Sequence, residues 1–146
     1  MPEPVSKAEY ETLAAFRYAL RRFLTFSEAA AADVGLASQQ YQALLAIKGS
    51  GRDSMTIREL ARQLLIKHNS AVGLVDRLEN ARLVTSRVAP EDRRKVNLRL
   101  TRKGARVFEQ LVAVHRDELR RIGPKLSEFL DYFSQHPAHA TARAGR

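Results

Sequence analysis

The side chains of this 146-residue chain that could do chemistry are mostly cations, and they are concentrated in one segment. Residues 52–103 contain 13 Lys and Arg against 6 Asp and Glu, so most of the formal net charge of +9 lies there. Cations grouped on one segment are what binding to a polyanion requires. A solvated basic surface would have the same composition, so charge alone leaves both interpretations open.

One group of side chains in this segment could contact base edges in duplex DNA. Its members share the outward face of a predicted helix: Lys67, His68, Asn69, Ser70, Val72, Gly73 and Arg77. Asn can form two hydrogen bonds with adenine, Lys or His can address guanine, and an exposed Val can pack on a thymine methyl group. Asn69 and Ser70 could equally be ordinary helix-capping residues.

A second group lies at the end of a predicted β-hairpin. It consists of Asp92, Arg93, Arg94 and Lys95, with Arg87 on the preceding strand. An arginine held there can enter a narrow minor groove, where the negative potential is enhanced. The same cations could merely keep a strand edge soluble. We expect Asp92 to orient an arginine through a salt bridge and not to act as a catalytic acid.

Signatures of enzymes and metal sites are weak. The chain has no cysteine, which excludes disulfides, thiolate metal sites and thiol-based redox sensing. Its histidines do not fall at metalloprotease spacing, and neither a phosphate loop nor a nucleophile elbow is present. We therefore expect no catalysis, no cofactor and no metal. His136 and His139 make at most an incidental site, and the helical spacing of His115 indicates a packed or interface histidine.

The elements that position these residues follow from caps and apolar periods. Ser6 and Glu9 have capping-box spacing and predict a first helix over residues 7–33, ended by Gly35. Ser38 is expected to cap a second helix that ends at Gly49. Thr56 and Glu59 form another capping box and begin a short amphipathic helix.

Beyond residue 67 a new apolar phase predicts a second short helix, and after Leu83 the period changes from 3.6 to 2. Strands over 84–88 and 96–100 around a charged tip at Asp92-Arg93-Arg94 then form a hairpin. Thr101 should cap a long helix that Gly123-Pro124 interrupts, and a last short helix follows. We expect residues 135–146 to be a disordered tail. No apolar run spans a bilayer, which indicates a soluble, cytoplasmic protein without a membrane partner.

Two stretches carry a family resemblance: residues 74–79 running into Leu83-Val84, and residues 90–94 followed by 98–104. They resemble the MarR (multiple antibiotic resistance regulator) family of bacterial winged-helix transcription factors, over about residues 10–134. The resemblance implies a mainly α fold with a small β-hairpin, in a single domain over 1–146. A winged helix-turn-helix at 38–101 would be flanked by dimerisation helices at 7–36 and 102–134.

Residues 67–81 would then be the recognition helix and Asp92-Arg93-Arg94 the tip of the wing. Some positions depart from the family pattern. Leu65 and Arg82 stand where Gly is common, and Arg82 therefore needs a positive φ or a different turn. Lys67 replaces the usual Ser or Thr cap. Gly73 replaces a polar or basic contact residue, which implies a different operator sequence.

Many relatives bind small molecules between the dimerisation helices and the DNA-binding lobe. Residues that could line such a crevice here are Phe16, Arg17, Phe23, Phe26, Tyr41 and His115. Packing of the helical core explains the same aromatics equally well.

The sequence thus predicts a sequence-specific regulator of transcription that binds double-stranded DNA. It would act as a homodimeric repressor on a pseudo-palindromic operator, with a small-molecule effector as a further candidate partner. The alternatives are a winged-helix module that docks on protein and a non-catalytic protein that binds a small ligand.

Overall fold

The computed structural model describes residues 2–52 and 54–135. The tail from residue 136 onward, with His136 and His139, lies outside the described residues. In chain order the elements are α1 (Lys7–Asp33), α2 (Ser38–Lys48), β1 (Met55–Thr56), α3 (Ile57–Leu64), α4 (His68–Asn80), β2 (Val84–Ala89), β3 (Asp92–Leu100) and α5 (Arg102–Gln135). This confirms the expected fold class, mainly α with a small antiparallel sheet. None of the described helices combines the length and apolar content needed to cross a membrane.

The chain divides into two compact units. The larger, Ser27–His115, contains α2 to α4 and the sheet, and the other consists of the described residues of 1–26 and 116–146. The core of the larger unit draws fully buried leucines from several elements, among them Leu44, Leu60, Leu78 and Leu98. Burial stabilises each such side chain by about 1.5–3 kcal/mol.

Side chains at the helix N-termini fix where α1 and α3 begin. In α1 the Glu9 N–H donates to the Ser6 hydroxyl at 3.1 Å, and in α3 the Glu59 N–H donates to Thr56 Oγ1 at 3.1 Å. Both predicted capping boxes are confirmed. The expected cap at Ser38 is wrong, because Ala37 is the N-cap residue of α2 and its N–H donates to the Gln40 side chain at 2.8 Å.

Two short turns use a left-handed residue that is not glycine. Leu65 follows α3 with φ 55°, and Arg82 follows α4 with φ 59°. In each turn the N–H of the next residue donates a hydrogen bond to the carbonyl five residues earlier. Ile66 donates to Ala61 at 3.0 Å, and Leu83 donates to Leu78 at 2.9 Å. This is the Schellman arrangement that usually takes glycine. The positive φ expected at Arg82 is confirmed, and each position carries backbone strain on the order of 1 kcal/mol.

The sheet has the order β1-β3-β2 and is antiparallel throughout. Strands β2 and β3 form the predicted hairpin. Strand β1 is absent from the sequence prediction because two residues are too few to show a period. It pairs Met55 with Leu98 and Thr56 with Asn97, which ties the start of α3 to the hairpin.

The predicted interruption of the last helix is wrong. Helix α5 continues through Pro124 to Gln135, which was expected to belong to the tail. Pro124 cannot donate a hydrogen bond to the preceding turn. Within the smaller unit, however, Phe129 beyond the proline is buried and packs edge-on against Phe16 of α1 at 6.2 Å between ring centroids. We attribute the continuity of the helix to this burial, which outweighs one lost backbone bond.

Gly104 allows the start of α5 to touch the turn after α4. An added Cβ would lie 2.1 Å from the carbonyl oxygen of Leu83. Two further bonds hold the same contact, from the Thr101 amide to the Leu83 carbonyl at 3.0 Å and from the Thr101 hydroxyl to the Arg82 carbonyl at 2.6 Å.

We predict that Gly104→Ala lowers the free energy of unfolding by about 2–4 kcal/mol, since backbone on both sides must move. Gly73→Ala is the matched control in a helix, because its Cβ would meet only the flexible end of Arg77 at 3.6 Å. We expect the control to gain about 0.5–1 kcal/mol from helix propensity. Urea unfolding measures both, and equal stabilities for the two variants would contradict the role given to Gly104.

Candidate nucleic-acid interface

The first turn of α4 presents its polar residues to solvent. Lys67, His68, Asn69, Ser70 and Val72 are exposed, Gly73 is half-buried, and Arg77 is exposed one turn further on. The opposite face of α4 is buried through Ala71, Leu74, Val75 and Leu78. The sequence prediction of which residues of this helix face outward is therefore confirmed.

The N-cap position of α4 is occupied by Lys67, with φ −68° and ψ 151°. No side chain caps the helix there, and its first turn has no acidic residue. The capping interpretation of Asn69 and Ser70 is thus wrong, because both lie inside the helix. The amides of this turn keep the partial positive charge of a helix N-terminus and can donate to an anion or a base acceptor.

The wing differs from the predicted hairpin at its tip. The chain reverses at Pro90 and Glu91, and Asp92 is already paired with Ala89. The next pair is Val88 with Val96, so the register shifts and residues 93–95 have no partner on β2. Such a bulge redirects side chains. The three cations therefore lie on a bulge of β3 and not in the turn.

Asp92 shapes this bulge. Its Oδ1 atom accepts the Arg94 backbone N–H at 3.0 Å and the Arg94 Nε–H at 3.2 Å. The backbone bond first, then the guanidinium bond and the charge of Lys95, lower the pKa of the Asp92 carboxyl below its ordinary value. The expectation that Asp92 holds an arginine is confirmed. The side chain of Arg93, in contrast, forms no hydrogen bond or ion pair with any residue that the structure describes.

Arg87 lies on a different face from the α4 residues. The neighbouring Ser86 donates its hydroxyl to Glu79 of α4 at 2.8 Å. Successive residues of a strand point to opposite faces, so Arg87 points away from α4. It is exposed and pairs in register with Asn97. The structure thus does not bring Arg87 together with the candidate DNA-binding residues of α4.

A cleft of about 500 Å³ joins the two candidate groups. Its wall includes His68 from α4 and Asp92, Arg94 and Lys95 from β3. Arg58 and Arg62 of α3 also line it, and the sequence analysis missed both. Their spacing of four residues on a short amphipathic helix, within the basic segment, was the available signal.

The six candidates for a ligand crevice fall in different units. Tyr41 and His115 belong to the larger unit, where both are buried and their rings stack at 4.6 Å. His115 donates from Nδ1 to the Leu111 carbonyl at 2.7 Å, and its Nε2 lies 2.7 Å from the Ser27 hydroxyl. The prediction of a packed histidine is confirmed, and burial raises the pKa of Tyr41.

The remaining four candidates belong to the smaller unit. Arg17 is exposed, and Phe16, Phe23 and Phe26 are half-buried. Phe23 lines a groove of about 350 Å³ between α1 and α5 of that unit. No group of three or more possible metal ligands occurs among residues 2–52 and 54–135.

Comparison with known proteins relates both the sequence and the fold to one family. Residues 34–95 match the family model described as MarR family. AbsC, a MarR family transcriptional regulator from Streptomyces coelicolor, has the same fold, with a TM-score of 0.75 at 20% identity over 92% of this chain and 93% of AbsC. The resemblance predicted from the sequence is confirmed by these two findings. No curated protein matches the chain.

Two further solved structures are similar. The transcriptional regulator PA4135 is 28% identical, with a TM-score of 0.66 over 90% of this chain and 96% of that protein. A MepR mutant from S. aureus, solved bound to an oligodeoxyribonucleotide, is 18% identical, with a TM-score of 0.64 over 82% and 95% of the two chains.

We predict that the Asp92 carboxyl titrates below the ordinary aspartate range, because its charged form accepts two hydrogen bonds from Arg94. A lowered pKa in the folded state adds stability above the unfolded-state pKa, and that stability is lost as the pH falls through the folded-state pKa. NMR titration of the side-chain carbonyl measures the pKa directly.

Arg94→Ala should raise the Asp92 pKa only part of the way toward the ordinary aspartate value. The larger contribution comes from the backbone N–H of residue 94, which the variant keeps. Arg93→Ala is the control and should leave the titration nearly unchanged. A full return in Arg94→Ala would contradict the leading role of the backbone bond.

Proposed function

We propose that this chain, with a MarR family segment at residues 34–95 and the fold of a MarR regulator, is a sequence-specific regulator of transcription that binds duplex DNA. It acts by occupying promoter DNA as a homodimeric repressor, with no catalytic step. The observation that carries the proposal is the uncapped, exposed first turn of α4 beside a cationic wing. The MepR mutant of the same fold supports it, because that protein was solved with an oligodeoxyribonucleotide.

The two groups of side chains have different tasks in this proposal. A helix enters the major groove with its N-terminal residues at the base edges, so Asn69 and Val72 are placed to read sequence. Ser70 and the half-buried Gly73 are small and allow α4 to approach the bases closely. Arg93 on the bulge of the wing enters the adjacent minor groove, where the negative potential of the DNA attracts its charge.

We propose that the parts of α1 and α5 that belong to the smaller unit form the homodimer interface. Large apolar side chains are exposed along both helices of the smaller unit, including Leu13 at 52%, Leu24 at 61%, Leu130 at 58% and Phe133 at 41%. Exposed apolar surface of this extent marks an interaction site. Two-fold symmetry then presents two copies of α4 to successive turns of a pseudo-palindromic site. Control of this dimer by a small-molecule effector stays a prediction from the resemblance.

We expect selection from random duplex DNA to return a pseudo-palindrome with half-site centres roughly 10 base pairs apart. Asn69→Ala should relax the preference at one base pair per half-site, with a loss of about 1–3 kcal/mol there. Arg93→Ala should weaken binding to selected and scrambled duplexes by the same factor, because its contacts do not depend on base identity. Fluorescence anisotropy at fixed salt gives both comparisons.

Arg106→Ala serves as the control for loss of an exposed arginine, because Arg106 belongs to the larger unit but does not line the cleft between α3, α4 and β3. Equal losses on every sequence for Asn69→Ala would refute its base-reading role. A chain that binds no duplex but retains a protein partner would replace the whole proposal with a docking module.

We also predict that sedimentation equilibrium gives twice the chain mass and that Leu130→Glu shifts the protein toward monomer. The variant buries a charge in the proposed dimer interface but leaves the fold intact, since Leu130 is exposed in the single chain. Leu45→Glu is the matched control on α2, at 44% exposure in the larger unit. A monomeric wild-type chain at micromolar concentration would contradict the interface.

A further inference from the structure

We propose that Arg58 and Arg62 of α3, together with Lys95 and Arg94 of β3, form a phosphate-binding site for the DNA strand that separates the two grooves. This inference rests on the proposed function and adds a third element, α3, to the contacts of α4 and the wing. The site is the cleft of about 500 Å³ between α3, the first residue of α4 and β3.

The two arginines of α3 are available for a ligand. They are four residues apart, so they project from the same side of the helix. Both side chains are exposed and both line the cleft. Neither guanidinium forms a hydrogen bond or an ion pair with any side chain that the structure describes. Neither arginine has a carboxylate partner in the cleft. Each guanidinium carries about five N–H donors, so the pair can offer about ten donors to an anion.

The carboxylates in the cleft are already engaged by other groups. Glu59 Oε2 accepts the Thr56 N–H at 3.4 Å and the Arg52 guanidinium at 3.2 Å. Asp92 Oδ1 accepts two bonds from Arg94. These acids therefore fix the start of α3 and the bulge of β3, and they form no hydrogen bond or ion pair with Arg58, Arg62 or Lys95. An anion with several acceptor oxygens, such as a phosphate, is the ligand that suits this arrangement.

The position of the cleft identifies the DNA backbone as the source of the phosphate. On duplex DNA a sugar-phosphate strand always lies between the major and the minor groove. The cleft lies between His68, at the start of the helix proposed to enter the major groove, and Arg94 and Lys95 of the wing proposed to enter the minor groove. A strand that passes between these two elements must cross the cleft, directly over the arginines of α3.

The test compares the double variant Arg58→Ala/Arg62→Ala with a matched control, Arg99→Ala/Arg106→Ala. The control arginines are also exposed and also belong to the larger unit, but they do not line the cleft. Anisotropy titrations across a salt series give the slope of log K against log salt. We expect the cleft variant to lose about 1.8 from this slope, or 0.9 per phosphate contact, and the control variant to change it much less.

Position is tested with duplexes that carry a single uncharged methylphosphonate linkage. Wild-type protein should lose about tenfold in affinity when the linkage lies on the strand between the selected half-site and its flanking minor groove. The cleft variant should be insensitive to the linkage at that place and normally sensitive elsewhere. Arg58→Lys/Arg62→Lys should keep most of the salt slope, because the charges remain.

An unchanged slope in a folded cleft variant, with DNA binding retained, overturns this inference and leaves the proposed function standing. Absence of duplex binding by the wild-type chain overturns the proposed function itself. Inorganic phosphate and pyrophosphate are titrated onto the free protein while the arginine Nε–H signals are followed by NMR. Saturation at millimolar or lower concentration, with no effect of the methylphosphonate linkages, would assign the cleft to a free anion and overturn the backbone role.

Discussion

The close approach of Gly104 to the Leu83 carbonyl is the contact on which the geometry of the larger unit depends. Leu83 ends the turn after α4 and precedes β2, while Thr101 follows β3 and starts α5. Because Thr101 bonds to both Arg82 and Leu83, four elements meet in a few residues. Helix α4 and the β2–β3 hairpin therefore leave one junction, and the distance between them is set by backbone atoms, which cannot change rotamer as side chains do.

The acidic residues Glu59 and Asp92, which line the cleft between α3 and β3, form hydrogen bonds within the protein. Glu59 caps α3 and binds Arg52, and Asp92 closes the bulge of β3. Free carboxylates would repel an anion, but Glu59 is paired with Arg52 and Asp92 with Arg94. The acids of the cleft therefore order the local structure with most of their charge compensated.

Local chemistry made much of this structure predictable. Capping boxes fixed the starts of α1 and α3, the apolar period fixed the outward face of α4, and Arg82 required its positive φ. Features that depend on distant partners were not predictable. Strand β1 forms because Met55 and Thr56 pair with β3. Helix α5 continues through Pro124 because Phe129 is buried. Arg58 lines the cleft only because the fold places α3 opposite β3.

Leu65 combines a left-handed backbone with a side chain that is 92% exposed. Its side chain does not contribute to the core, and its role in the cap of α3 is played by the backbone. Replacement by glycine would therefore remove about 1 kcal/mol of strain, partly offset by the greater freedom of the unfolded chain. The stability gained by this replacement could be used in protein engineering. Libraries that randomise the exposed residues of α4 could start from a Leu65→Gly parent, whose added stability would tolerate more of the destabilising combinations.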